Sequence, residues 1–129
     1  MRSVLAIMAT LSLLLSMSAQ ADQNQESAPV YRHLVMFKFK DGVKPDEVQK
    51  VIDAFADLPS KIDTIKGFEW GTNISPENKV QGFTHCFSVT FADKTGLEIY
   101  LPHPAHKAFG QIVGPVMDKV LVFDFIPEN

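Results

Sequence analysis

Phe83-Thr84-His85-Cys86-Phe87-Ser88-Val89-Thr90-Phe91 alternates without a break. Phe83, His85, Phe87, Val89 and Phe91 fall on one side, and Thr84, Cys86, Ser88 and Thr90 on the other. Successive side chains of a strand point to opposite faces, so this period of two predicts a β-strand with one apolar face and one face of small residues. Tyr31 to Lys40 (YRHLVMFKFK) has the same rhythm, with His33, Val35, Phe37 and Phe39 opposite Leu34, Met36 and Lys38. Gly67 to Thr72 reads as a shorter strand carrying Phe68 and Trp70 on one side. Lys119 to Phe125 reads as the last, with Val120, Val122 and Asp124 opposite Leu121, Phe123 and Phe125.

Between these strands the period changes. Pro45 suits the first position of a helix, and Asp46 and Glu47 behind it suit the positive end of the helix dipole. Val48, Val51, Ile52, Phe55 and Ala56 then recur at three- and four-residue spacing, one apolar stripe that ends at Leu58-Pro59. Thr95 with Glu98 has capping-box spacing, which predicts a helix from Gly96 to Leu101. Pro102 stops it, and Pro104 opens another that carries Phe109, Ile112 and Val113 to Gly114-Pro115.

The order is strand, helix, strand, strand, helix, strand, with the second helix in two pieces. That is an α+β, ferredoxin-like βαββαβ chain: a four-stranded antiparallel sheet with helices on one face. Leu34, Met36, Leu121, Phe123 and Phe125 are left on the uncovered face, and an apolar patch of that kind marks an interaction surface. A symmetric homodimer, sheet against sheet, covers it. Thr84, Cys86, Ser88 and Thr90 are small enough for close approach.

Tyr100-Leu101-Pro102-His103-Pro104-Ala105-His106 puts a phenol and two imidazoles at the joint between the two helices. His103 falls near the N-cap and His106 in the first turn, where the dipole disfavours imidazolium. A neutral imidazole is what a general base or a metal ligand requires. The plainer alternative has His103 as a cap and His106 as a packed histidine. His33 and His85 sit on otherwise apolar strand faces that turn toward the same interior, which favours a small-molecule pocket. Asp124, the one carboxylate on the inward face of the last strand, either orients His106 or caps a backbone amide. Trp70 reads as core or interface, and Cys86 as an inert buried thiol.

The first 21 residues have the build of a secretory signal peptide: Arg2, a 14-residue apolar run from Val4 to Met17, and Ala19-Gln20-Ala21 as a cleavage site. The run is short of the roughly 20 residues that span a bilayer. Residues 22–30 read as a disordered leader and 31–127 as the domain. Removing the signal leaves 108 residues, with 11 basic against 15 acidic and a net charge of −4. An acidic balance argues against a nucleic-acid partner, or a membrane partner after cleavage. One cysteine, Cys86, allows no internal disulfide in an exported chain.

The stretches HLVMFKFKDG, GFTHCFSVTF, YLPHPAH and VFDF together resemble the stress-responsive dimeric α/β barrel (Dabb) family over residues 31–127. The resemblance implies a ferredoxin-like subunit and a homodimer closed into an α/β barrel. Within the family the chain is particularly similar to plant polyketide cyclases of the olivetolic acid cyclase type, which use no cofactor. Their catalytic tyrosine and histidine match Tyr100 and His106, and their pocket histidines match His33 and His85.

Three functions fit. The first is an exported homodimer with an apolar pocket for a small apolar or carbonyl-containing ligand, lined by His33, Val35, Phe37, His85 and Phe87 from the sheet. Val51, Ile52, Phe55, His103, Phe109, Met117, Val120 and Val122 complete that lining. The second is a cofactor-free cyclase, aldolase or lyase with His106 as base, Tyr100 as donor and Asp124 behind them. The third is a metal or haem site built from the four histidines, for which no H-E-x-x-H or C-x-x-C spacing speaks; no metal and no cofactor is expected.

Overall fold

The computed structural model describes residues 28–129. The signal peptide and most of the leader expected from the sequence lie outside the described residues. Strand β1 spans Tyr31–Phe39 and helix α1 Pro45–Ala56, followed by a 3₁₀ turn at Leu58–Ser60. Strands β2 (Ile65–Thr72) and β3 (His85–Phe91) lead into helices α2 (Lys94–Tyr100) and α3 (Pro104–Val113). A second 3₁₀ turn, Gly114–Val116, runs into β4, Met117–Phe125.

The four strands are antiparallel in the order β2-β3-β1-β4, and the helices cover one face. This is the expected ferredoxin-like subunit. Closure into a barrel is not: among the described residues β2 and β4 are the edges of the sheet, and it stays open. The barrel implied by the family resemblance is thereby corrected.

The alternation read from β1 and β3 sets the core. His33, Val35 and Phe37 are buried toward the helices from β1, and Phe87, Val89 and Phe91 from β3. Val51, Ile52 and Phe55 of α1 and Phe109 and Val113 of α3 close over them. Phe55 stacks on Phe87 with ring centroids 4.5 Å apart and planes 13° from parallel. Such a pair adds about 0.5–1.5 kcal/mol to the stabilisation from area burial alone.

Helix α1 starts as its sequence dictates, with Pro45 first and the Lys44 N–H donating to Glu47 Oε2 at 2.9 Å. Helix α2 starts two residues before the expected Gly96. Asp93, not Thr95, is its cap, accepting from the Gly96 N–H at 3.1 Å. Gly82, before β3, has φ of +85°, and a Cβ there would stand 2.8 Å from Lys38 Cε. The left-handed backbone is what favours glycine there, since the flexible Lys38 side chain can move aside.

Strand β4 differs from its neighbours in having little cover on either face. Val122, on the helix side, is 52% exposed and Phe123, on the outer side, 57%. The helix layer ends short of this edge, and a cavity opens there.

Candidate functional site

The joint between α2 and α3 is wired by its own backbone. After Tyr100 the chain turns, with the His103 N–H donating to the Tyr100 carbonyl at 3.1 Å. Pro104 takes the first helical position of α3, and His103 Nδ1 accepts from the Ala105 N–H at 3.0 Å. His103 is thus spent as an N-cap. His106 Nδ1 lies 2.9 Å from the Leu101 carbonyl oxygen. A carbonyl only accepts, so Nδ1 carries the hydrogen, and in the neutral ring the lone pair belongs to Nε2.

Tyr100 is fully buried between two imidazoles, its ring centroid 4.3 Å from that of His106 and 5.8 Å from that of His33. Burial pushes its phenol well above the usual tyrosine range, which keeps it protonated. His33 belongs to a second polar group. Its Nδ1 donates to Asp124 Oδ1 at 2.6 Å, and Asp124 Oδ2 accepts from the Tyr31 hydroxyl at 2.7 Å. The bond to Asp124 raises the pKa of Tyr31, since ionising the phenol would set a phenolate against a carboxylate.

These groups border a cavity of about 320 Å³ between the helices and the β1–β4 half of the sheet. Its wall holds His33, Tyr100, His106 and Asp124, with Val35, Phe37, Phe55, Phe109, Met117, Val120 and Val122 among its apolar members. Leu97, Leu101, Gly110 and Val113 also line it and were not anticipated. Gly110 and Val113 stand four and seven residues after His106, so helical spacing from that histidine points to them. Tyr31 was missed as well, though it shares the inward face with His33.

Other expected members stand elsewhere. Val51, Ile52 and Phe87 are core residues outside the cavity wall. His85 lies beside a separate cleft of about 440 Å³ with Met36, Trp70, Val80, Phe83 and Cys86. There its ring is parallel to Trp70 at 6.1 Å, its Nδ1 is 2.8 Å from Thr84 Oγ1, and burial lowers its pKa. Asp124 holds His33 and Tyr31, not His106, because β1 and β4 pair with His33 directly opposite Asp124. The four histidines are not gathered, and among the described residues no group of three His, Cys, Asp or Glu side chains is placed to hold a metal ion. The described residues thus do not bring the four histidines together into the single site that the third reading requires. Cys86 is a free thiol whose pKa burial raises.

Together these residues make an open, ferredoxin-like α+β subunit with a largely apolar cavity, a candidate small-molecule pocket bordered by a buried phenol and two imidazoles that are each hydrogen-bonded through Nδ1. More specifically, the chain belongs to the stress responsive A/B barrel domain (Dabb) family, whose model matches residues 31–127. It is 40% identical over 105 residues to the stress-response A/B barrel domain-containing protein HS1 of Arabidopsis thaliana, covering 81% of this chain and 96% of that one. Olivetolic acid cyclase of Cannabis sativa is 32% identical over 98 residues, 76% of this chain and 97% of the cyclase. The particular closeness to that cyclase expected from the sequence is thus corrected, since HS1 is more similar. A dimeric ferredoxin-like protein of unknown function from Jannaschia sp. CCS1 has the same fold. Its TM-score is 0.66 at 26% identity, over 74% of this chain and 97% of that structure.

Proposed function

We propose that this protein is a cofactor-free acid–base enzyme that removes a proton next to a carbonyl group, in the manner of a cyclase, aldolase or lyase. The observation that carries the reading is the His106 bond to the Leu101 carbonyl. It commits Nδ1–H and leaves Nε2 with its lone pair, on the cavity wall beside a phenol that burial keeps protonated.

In this scheme His106 Nε2 takes a proton from the carbon adjacent to the carbonyl, and the electron pair moves onto the carbonyl oxygen. The Tyr100 hydroxyl donates a hydrogen bond to that oxygen as its negative charge develops. The enolate carbon then attacks a second carbonyl carbon of the same ligand, and the alkoxide so formed takes the proton back from His106. A positioned base of this kind contributes about 10²–10⁴-fold in rate. The 32% identity to a cyclase supports the reaction class. The apolar wall of Phe37, Phe55, Phe109 and Val113 suits a ligand with a hydrocarbon or aromatic end.

The working form is a soluble homodimer joined through the outer sheet face, a reading supported by the dimeric relative and by exposed Leu121 and Phe123. Residues 1–21 direct its export, with cleavage after Ala21; N-terminal sequencing of the exported fraction should find Asp22 first.

The chemistry is tested with acetophenone in deuterium oxide, a probe with an acidic methyl group beside a carbonyl. The protein is expected to speed deuterium incorporation over buffer, and His106→Ala is expected to lose that gain while remaining folded. Equal exchange with parent, variant and buffer, for acetophenone and for longer alkyl aryl ketones, would defeat the reading.

A further inference from the structure

Tyr31 is not part of the cavity wall, yet its hydroxyl is tied to it. Asp124 has two carboxylate oxygens, and each has one donor: Oδ1 takes His33 Nδ1–H at 2.6 Å and Oδ2 takes the Tyr31 hydroxyl at 2.7 Å. The three residues come together through sheet geometry. His33 is directly opposite Asp124 in the β1–β4 pairing, and Tyr31 is two residues earlier on the same face of β1.

We propose that Tyr31 is a positioning residue for this site: by holding one oxygen of Asp124 it aims the other at His33 and fixes which imidazole nitrogen carries the hydrogen. A carboxylate held by one donor alone turns about its terminal torsion and takes its second bond from water. Held by two donors from one strand, it has a single orientation. His33 then keeps Nδ1–H on Asp124, and its Nε2 lone pair stays available as an acceptor on the cavity wall. The site thus has two imidazoles fixed in the same tautomer by different means, His106 by a main-chain carbonyl and His33 by the Tyr31–Asp124 pair. Between them lies the Tyr100 ring.

A purely structural Tyr31 would tie strand ends and leave the imidazole alone. The geometry speaks for the relay: Tyr31 and His33 occupy the two oxygens of one carboxylate, and the charged groups near the phenol are Asp124 of β4 and Glu98 of α2. Both are acidic and neither competes as a donor. The part given to His33 in turnover rests on the acid–base reading above, but the relay itself does not.

The test is therefore a spectroscopic one that needs no turnover. Long-range ¹H–¹⁵N spectra at about pH 8, above the ordinary histidine range, report the tautomer of each ring in the full mature chain. The parent is expected to show His33 wholly as Nδ1–H. Tyr31→Phe is expected to show a mixture of tautomers at His33 with His106 unchanged, and His106→Ala is expected to leave His33 as in the parent. Should Tyr31→Phe fail to fold, Asp124→Asn supplies the reading from the other end: ionisation of Tyr31, followed at 295 nm, should move to lower pH. A folded Tyr31→Phe protein with His33 still wholly Nδ1–H, or an unmoved Tyr31 titration in Asp124→Asn, would overturn the relay. Absence of ketone exchange in the parent with the tautomer pattern as expected would instead overturn the enzymatic reading and leave the relay standing.

Discussion

His33 and Asp124 face each other across the β1–β4 pairing, and the imidazole donates to the carboxylate at 2.6 Å. His33 is 5% exposed, while the Asp124 side chain keeps 26% of its surface. The pair is thus lopsided, the carboxylate being the more exposed partner and the imidazole the more buried one. Asp124→Ala should cost about 1–3 kcal/mol by leaving a buried donor unpaired, and Asp124→Asn less because an acceptor remains. Urea unfolding of the three proteins decides this. Equal midpoints would mean that the bond contributes nothing to stability.

The two tyrosines predict the alkaline limit of the fold. Tyr31 and Tyr100 are both raised above the ordinary value of 10.0, by the Asp124 bond and by burial respectively. Folding therefore favours the neutral phenols. Their contribution is complete below the unfolded value and is lost as pH rises through the folded ones. Absorbance at 295 nm and circular dichroism should be followed together with rising pH. Tyr100 is expected to ionise only as the fold is lost; two phenols titrating near pH 10 with unchanged dichroism would contradict that.

Phe55 is the residue on which the helix layer and the sheet converge. It stacks on Phe87 at 4.5 Å and meets Phe109 at 4.6 Å, with 1% of its surface exposed. It also forms part of the cavity wall. Phe55→Ala should cost about 3–5 kcal/mol, the transfer of the ring plus the void it leaves. Thermal unfolding measures it. A loss below about 1 kcal/mol would mean that α1 is not seated on the sheet as described.

The strands and both faces of β1, β3 and β4 were legible because alternation is a local property, visible without knowing the partners. The apolar stripe of α1 was legible for the same reason. What alternation does not carry is register. It put His33 and Asp124 on the inward face separately, but only the β1–β4 pairing sets them opposite each other, so the carboxylate reads from the sequence as orienting His106 or capping a backbone amide, and neither names His33. The true partner of His106 is the Leu101 carbonyl, and no pattern of side chains displays a main-chain acceptor. His85 was misplaced in the same way, since a strand face shows which layer a residue meets but not how far along the layer extends. The α2 cap went to Thr95 because Glu98 stands at capping-box distance from it, whereas the Asp93 carboxylate took the Gly96 N–H.

The last prediction concerns the outer sheet face, where Leu121 is 40% and Phe123 57% exposed beside Leu34 and Met36. β1 and β4 put these four side chains on one surface: Leu34 opposite Phe123, and Met36 opposite Leu121. On a monomer, a charge at Phe123 would replace a ring already in water, and surface changes of that sort stay within about ±0.5 kcal/mol. In a dimer joined through this face the same charge would be buried without a partner and would oppose association. Light scattering and thermal unfolding of the mature protein should therefore change together. The parent is expected to be a dimer whose unfolding temperature rises with concentration, as mass action requires. Phe123→Glu is expected to be less stable and to lose that dependence, and Met36→Glu, nearer the centre of the face, to fold poorly. A parent that scatters as a monomer at high micromolar concentration, with Phe123→Glu equally stable and soluble, would show that this face needs no second copy.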